Sequence, residues 1–134
     1  MRLILDSHIL LAISLGRLHE VSYPFAECLR QPESFAFASV ASLWGIAIKT
    51  GLGKLDPGIP LESLLLFYEA LGIARLPVSA AHALACIDPV PPTRDPFDRM
   101  LLVQCHVESC RLATVDQALR DHPLAARFPR GGDL

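Results

Sequence analysis

Short apolar runs alternate along the chain with longer stretches in which apolar residues recur at helical spacing. The runs that predict strands cover residues 3–5, 34–38, 73–76 and 111–114. Polar capping residues and helix-spaced apolar positions follow each run, so we expect helices between the strands. Strands that alternate with helices are typical of a parallel sheet. The pattern therefore predicts an α/β fold of three layers, with a short parallel sheet and helices on both faces.

The predicted helices take their boundaries from capping residues, glycine and proline. Ser7 is expected to cap a helix that reaches about Leu18, and Ser39 to cap a helix that ends at Gly51. One face of that second helix is expected to be buried: Leu43, Trp44, Ala47 and Ile48. This spacing predicts that Trp44 belongs to the core. Further helices are expected over residues 21–29, 61–71, 79–85 and 95–109, and after Asp116.

Length and composition limit the class of protein. The chain has 134 residues, a formal net charge of −2, 51% hydrophobic residues and a mean hydropathy of +0.38. These values suit one globular domain, expected over residues 1–128, with a flexible tail over 129–134. The longest uncharged apolar stretch, 35–48, is shorter than the roughly 20 residues that cross a bilayer. We expect a soluble cytoplasmic protein whose four cysteines, which lack CxxC spacing, are reduced thiols.

Three aspartates lie where the predicted topology brings polar groups together. Asp6 follows the first strand and Asp116 follows the last, and ligands of parallel sheets bind at the carboxyl ends of the strands. Asp98 begins an apolar helical stripe that should pack on the sheet. Carboxylates gathered at one edge repel each other, and oxygen ligands suit Mg²⁺ or Mn²⁺. We expect a metal site that activates water for attack on a phosphodiester.

Each of these acids also has a structural interpretation. Asp6 and Asp116 would serve as helix caps or turn residues, and Asp95 fits an N-cap position. Asp98 would form an ion pair with one of three arginines: Arg94, Arg99 or Arg111. His8 is interpreted as a buried or capping histidine, because a metal-activated water does not need it as a base.

Five segments in order along residues 2 to about 120 carry a resemblance to a known family. They are LILDSH (3–8), SVASLWGIAIK (39–49), GLGKL (51–55), RDPFDRMLLVQ (94–104) and LATVD (112–116). The chain resembles PIN-domain proteins, and more closely the VapC-type toxins of bacterial type II toxin–antitoxin systems. The resemblance implies a PIN-like fold and an endoribonuclease, dependent on Mg²⁺ or Mn²⁺, that acts on tRNA or ribosomal RNA.

The resemblance also implies partners and residue roles. Such toxins are homodimers inhibited by a cognate VapB-type antitoxin, which lays a peptide segment into the active-site groove. The family's metal-binding acids match Asp6, Asp98 and Asp116, Thr114 matches a hydroxyl near the metal, and Ser7 stands where threonine is common. Four cations near the expected cleft are either RNA-phosphate contacts or a solvated surface: Lys49, Lys54, Arg94 and Arg99. Helices 21–29 and 61–71 are candidate dimer or antitoxin contacts.

Gly45 departs from the family pattern, which has a metal-site glutamate directly after Trp44. A glycine inside a helix costs roughly 1 kcal/mol relative to alanine. The spacing from Ser42 and to Lys49 predicts that Gly45 faces polar neighbours and not the core. Three acids in place of four should bind the metal more weakly. We therefore expect a weakened ribonuclease, or alternatively a catalytically inactive PIN-fold binding protein that acts through its antitoxin complex. An aspartyl-phosphate enzyme or receiver domain would need further acidic or lysine positions that the chain lacks.

Overall fold

The computed structural model describes residues 1–127, and the predicted tail over 129–134 lies outside them. The four strands are β1 (Arg2–Leu5), β2 (Phe35–Ser39), β3 (Ala74–Leu76) and β4 (Arg111–Ala113). The helices are α1 (Ser7–Ser14), α2 (Leu18–Val21), α3 (Tyr23–Leu29), α4 (Val40–Gly51), α5 (Leu61–Ala70), α6 (Ala80–Leu84), α7 (Pro96–Glu108) and α8 (Gln117–Arg120).

The four strands form one parallel sheet in the order β3-β2-β1-β4. In its register, Leu3 is opposite Ala36 on one side and Arg111 on the other. The chain moves from β1 to β2 and β3 in one direction and then returns to the opposite side of β1. Strand order therefore switches direction between β1 and β4, where a parallel sheet opens a crevice at its carboxyl edge.

Apolar side chains cover both faces of the sheet, because successive strand residues point in opposite directions. Leu3 and Leu5 pack with residues of α1, α3, α4 and α5. Ile4 points the other way and packs with Leu101 and Leu112 in a second core beneath α7 and α8. The predicted α/β class, parallel sheet and helices on both faces are confirmed.

The first helix begins and ends differently from its prediction. Asp6, and not Ser7, caps α1, since its Oδ1 accepts a hydrogen bond of 2.9 Å from the Ile9 amide. The helix ends at Ser14 and does not reach Leu18, because Gly16 takes a left-handed backbone with φ +69°. The helix predicted over 21–29 is divided into α2 and α3, and Ser22 caps the second of them.

The prediction of which face of α4 is buried was wrong. The buried positions are Ala41, Ser42, Gly45 and Ile46, whereas Trp44 is 64% exposed. Both sides of this helix carry apolar residues, so periodicity did not distinguish them. The small residues of this helix lie on its buried side together with Ile46. Gly45 is therefore buried, contrary to the expectation, but its cavity is also lined by aspartates, so the polar neighbours expected for it are present.

The histidine prediction also differs from the structure. His8 is exposed and neither buried nor capping. Two other histidines, His82 and His122, are buried; His82 lies near Glu108, and the His122 ring is 2.8 Å from the Pro89 carbonyl. All four cysteines are free, as predicted. Among residues 1–127, no helix has the length and apolar character needed to cross a membrane.

Candidate metal centre

A cavity of about 350 Å³ opens at the carboxyl ends of β1 and β4. Four aspartates line this acidic cavity: Asp6, Asp95, Asp98 and Asp116. Asp6 follows β1, Asp116 lies just beyond β4, and the other two belong to the start of α7. The structure thus places the three acids singled out from the sequence at one position in the fold.

Asp6 is the most deeply buried of the four acids. The residue is only 2% exposed. Its backbone amide donates a hydrogen bond to the Ala113 carbonyl, and this bond joins the ends of β1 and β4. Oδ1 accepts from the Ile9 amide, but Oδ2 is buried without a hydrogen-bond partner. Burial raises the pKa of Asp6, against the opposing effects of the Thr114 hydroxyl and the Ile9 amide. An unpaired carboxylate oxygen in such surroundings favours a cation beside it.

Asp98 faces the same cavity from the first turn of α7. Burial, followed by the charges of Asp95, Asp116 and Asp6, raises its pKa from 3.8 to about 6. The predicted alternative, an arginine partner, is not found among the described residues. Arg99 donates to the Thr93 carbonyl instead, and Arg111 donates to the Pro123 carbonyl. The mutual repulsion of these carboxylates is therefore not offset by an arginine ion pair.

Asp116 is held by two hydrogen bonds at the start of α8. Its amide donates to the Thr114 hydroxyl over 3.0 Å, and its Oδ1 accepts from the Ala118 amide over 2.8 Å. Thr114 is buried and so fixes the turn that presents Asp116. Ser7, the other hydroxyl singled out from the sequence, lines the cavity without capping α1.

Three helices begin at this cavity, and each begins with an aspartate cap. Asp6 caps α1, Asp95 caps α7 and Asp116 caps α8. The positive ends of the helix dipoles lie beside these carboxylates and partly offset their repulsion. The capping prediction for Asp95 is confirmed, and the same residue also acts electrostatically on Asp98.

The cations predicted to contact RNA separate into two groups. Lys49 and Lys54 line the acidic cavity, whereas Arg94 and Arg99 do not. Arg94 is exposed on the loop before α7, and Arg99 lines a different cavity near Cys86. Of the four cations, only the two lysines therefore share a cavity with the aspartates.

Gly45 also lines the acidic cavity, on the side formed by α4. A Cβ atom built on it would lie 3.6 Å from the nearest atom of the Phe97 ring, which is ordinary van der Waals contact. The backbone thus accepts a side chain here, and nothing in the structure requires glycine. A glutamate at this position would begin within the cavity that holds the aspartates.

Neither a scan against protein-family models nor a search of curated proteins found a match. The functional assignment therefore depends on the residues and their geometry.

The donor set suits a hard divalent cation better than a soft one. Within the described part of the chain, no three His, Cys, Asp or Glu side chains form a ready metal-binding cluster as they stand. The carboxylates nevertheless share one cavity, and Asp6 Oδ2 is buried and unpaired. Oxygen ligands of this type bind Mg²⁺ or Mn²⁺, which retain several water molecules and so need few protein ligands.

Sequence reasoning missed two aromatic residues at this site. Phe97 belongs to the first turn of α7, lines the cavity and lies beside Gly45 of α4. Its position directly before Asp98 was the available signal. Trp44 contacts the Phe97 ring edge-on, with centroids 5.6 Å apart. Its location at the surface followed from which face of α4 packs inward, which the sequence pattern did not reveal.

Proposed function

We propose that this chain is a metal-dependent endoribonuclease of the VapC type, with a PIN-like fold and a catalytic site weakened by Gly45. One observation carries the proposal: Asp6, Asp98 and Asp116 line one cavity, and a buried oxygen of Asp6 lacks a partner. The VapB-type antitoxin, the homodimer and the choice of tRNA or ribosomal RNA belong to the same proposal and derive from the sequence resemblance.

The aspartates would hold the cation, with Asp6 Oδ2 as the buried ligand and Asp98 and Asp116 as its partners. When bound, Mg²⁺ or Mn²⁺ supplies the positive charge that activates the attacking water and neutralises the scissile phosphate. Lys49 and Lys54 would bind neighbouring phosphates of the RNA. The reaction adds water across one phosphodiester: a new oxygen–phosphorus bond forms, the bond to the leaving oxygen breaks, and that oxygen takes a proton.

The other residues position these groups. Thr114 holds the amide of Asp116, and the Ile9 amide fixes Oδ1 of Asp6 so that Oδ2 points away from the helix cap. Gly45 contributes no carboxylate to the cavity. A site with less negative charge binds a divalent cation less tightly and orients the attacking water less well.

Cleavage of total tRNA in Mn²⁺ tests the proposal most simply. We expect slow cleavage by the unsubstituted chain and a rate at least about tenfold higher for Gly45→Glu, since an added carboxylate ligand strengthens metal binding. The control is Gly45→Gln, which has nearly the same size without the charge and should not accelerate cleavage.

A double variant checks that the restored activity uses the proposed site. Gly45→Glu combined with Asp6→Asn should be silent, because the amide keeps the cap oxygen for Ile9 but removes the anionic ligand. Activity equal to that of Gly45→Glu alone, or silence of every variant on both tRNA and ribosomal RNA, would sink the proposal.

A catalytically inactive binding protein is the second candidate. The absence of a carboxylate at Gly45 favours it, as does a row of exposed apolar residues along α4 and at the residue that follows it: Val40, Trp44, Ile48 and Leu52. Such a protein would act through its antitoxin complex and would not need Mg²⁺ or Mn²⁺. Metal binding therefore distinguishes the two candidates.

A further inference from the structure

An apolar groove of about 470 Å³ lies beside the acidic cavity. It is lined chiefly by Val40, Trp44, Val78, Pro96, Phe97 and Met100. Phe97 lines both the groove and the acidic cavity, so the two are continuous across one side chain. A chain that extends from the acidic cavity past Phe97 would therefore reach this apolar groove.

Trp44 is the feature of the groove that most needs an explanation. It is 64% exposed, and its contact with Phe97 is edge-on, at an interplanar angle of 74°. An edge-on contact of this kind, together with the high exposure, leaves much of the indole surface open. A large aromatic surface left in water, in a groove that shares Phe97 with a polar cavity, is suited to stacking with a flat apolar ligand.

The chemistry around Trp44 matches the parts of a nucleotide. The acidic cavity suits a cation that binds phosphate, Lys49 and Lys54 suit the adjoining phosphates, and the apolar groove suits a base. We infer that Trp44 stacks on an unpaired base of the RNA strand whose phosphate occupies the acidic cavity. This inference rests on the proposed ribonuclease function and specifies its substrate: a single-stranded or looped segment.

An unpaired base is required because a duplex covers the faces of its bases by stacking them on each other. Single strands and loops leave these faces free for aromatic side chains. Stacking accepts every base, so Trp44 would select unpaired structure and not sequence.

The intrinsic fluorescence of the protein provides a direct test, since Trp44 is its only tryptophan. In Mg²⁺, a uridine decamer should quench the emission to saturation. An abasic decamer with the same ribose-phosphate backbone should leave it nearly unchanged, and a duplex of equal length should quench it weakly. Equal quenching by the abasic and uridine decamers would overturn the inference, because the backbone alone would then explain the signal.

Binding of a labelled uridine decamer, followed by anisotropy, tests the same point with variants. Trp44→Ala should weaken the affinity on the order of 10-fold, and Trp44→Phe should restore part of it. The matched control is Tyr23→Ala, which removes an aromatic residue of 63% exposure that lines neither the groove nor the acidic cavity, and should have no effect. Unchanged affinity in Trp44→Ala would overturn the inference.

These results separate the inference from the proposed function. Base-dependent quenching without cleavage by any variant would support stacking and refute the nuclease. Cleavage with unchanged binding by Trp44→Ala would refute stacking alone. If Trp44 emission instead changes with protein concentration and not with RNA, the groove is a contact between copies of the chain, and the inference is wrong.

Discussion

Asp6 performs two functions with its two carboxylate oxygens. Oδ1 caps α1 through the Ile9 amide, and Oδ2 is buried without a partner. A buried cap alone would be served as well by serine or asparagine, which avoid the cost of a desolvated charge. The structural interpretation of Asp6 as a helix cap is therefore correct but incomplete, because it leaves the second oxygen unexplained.

Asp98 should make the stability of the protein depend on pH. Because its pKa is raised from 3.8 to about 6, the folded chain binds this proton more tightly than the unfolded chain does. Its contribution to the free energy of unfolding therefore decreases as the pH rises through that window. At pH 7, the free energy of unfolding of Asp98→Asn should exceed that of the unsubstituted chain by on the order of 1 kcal/mol, after allowance for solvent screening. Below about pH 3.5 the two should be equally stable.

Urea unfolding without divalent cations, measured at several pH values, checks this expectation. The control is Asp121→Asn, which removes an exposed carboxylate that does not line the acidic cavity. An advantage of Asp98→Asn that is independent of pH, or absent at pH 7, would show that the neighbouring aspartates do not act on Asp98 as described.

Among the secondary-structure elements, the α4–α7 contact decides whether a fourth carboxylate fits. Gly45→Ala should stabilise the protein by about 0.5–1 kcal/mol, because alanine is the better helix former and its Cβ meets Phe97 at ordinary contact distance. Gly53→Ala should have the opposite effect, since Gly53 has φ +70°. Thermal unfolding of both variants tests this, and destabilisation by Gly45→Ala would mean that Phe97 leaves no room for a side chain.

A second contact between elements joins α5 to α1, the helix that Asp6 begins. The hydroxyl of Tyr68, which is fully buried, donates to the Leu10 carbonyl over 2.7 Å. Tyr68→Phe should lower the free energy of unfolding by about 1 kcal/mol, whereas Tyr23→Phe at the surface should change it little. Chemical denaturation measures both variants, and equal stabilities would show that this hydrogen bond does not contribute.

The helix and strand boundaries that were predicted correctly are determined by residues close to them in the sequence. Apolar runs define the four strands, and Ser39 and Asp95 cap their helices as expected. The prediction that Ser7 caps α1 was wrong because Asp6 and Ser7 are adjacent polar residues that could both serve as the cap. Only the backbone geometry distinguishes them. The prediction that Trp44 belongs to the core was wrong because α4 is apolar on both sides. The buried face of this helix therefore depends on which neighbouring elements pack against it.

At the scale of the whole molecule, the sheet order explains why the three aspartates could be predicted to meet. β1 and β4 are neighbours in a parallel sheet, so the residues after them emerge at the same edge. Phe97 could not be placed in the same way. Its position depends on how α7 packs over that edge and against α4, and no pattern along the chain encodes that packing.

The central claim is that the acidic cavity binds a divalent cation, and calorimetric titration with Mn²⁺ tests it most directly. The unsubstituted chain should bind one Mn²⁺, Asp6→Asn should bind on the order of 10-fold more weakly, and Gly45→Glu should bind more tightly. Asp121→Asn should match the unsubstituted chain. Equal affinity in the unsubstituted chain and Asp6→Asn, or no binding by either, would contradict the claim.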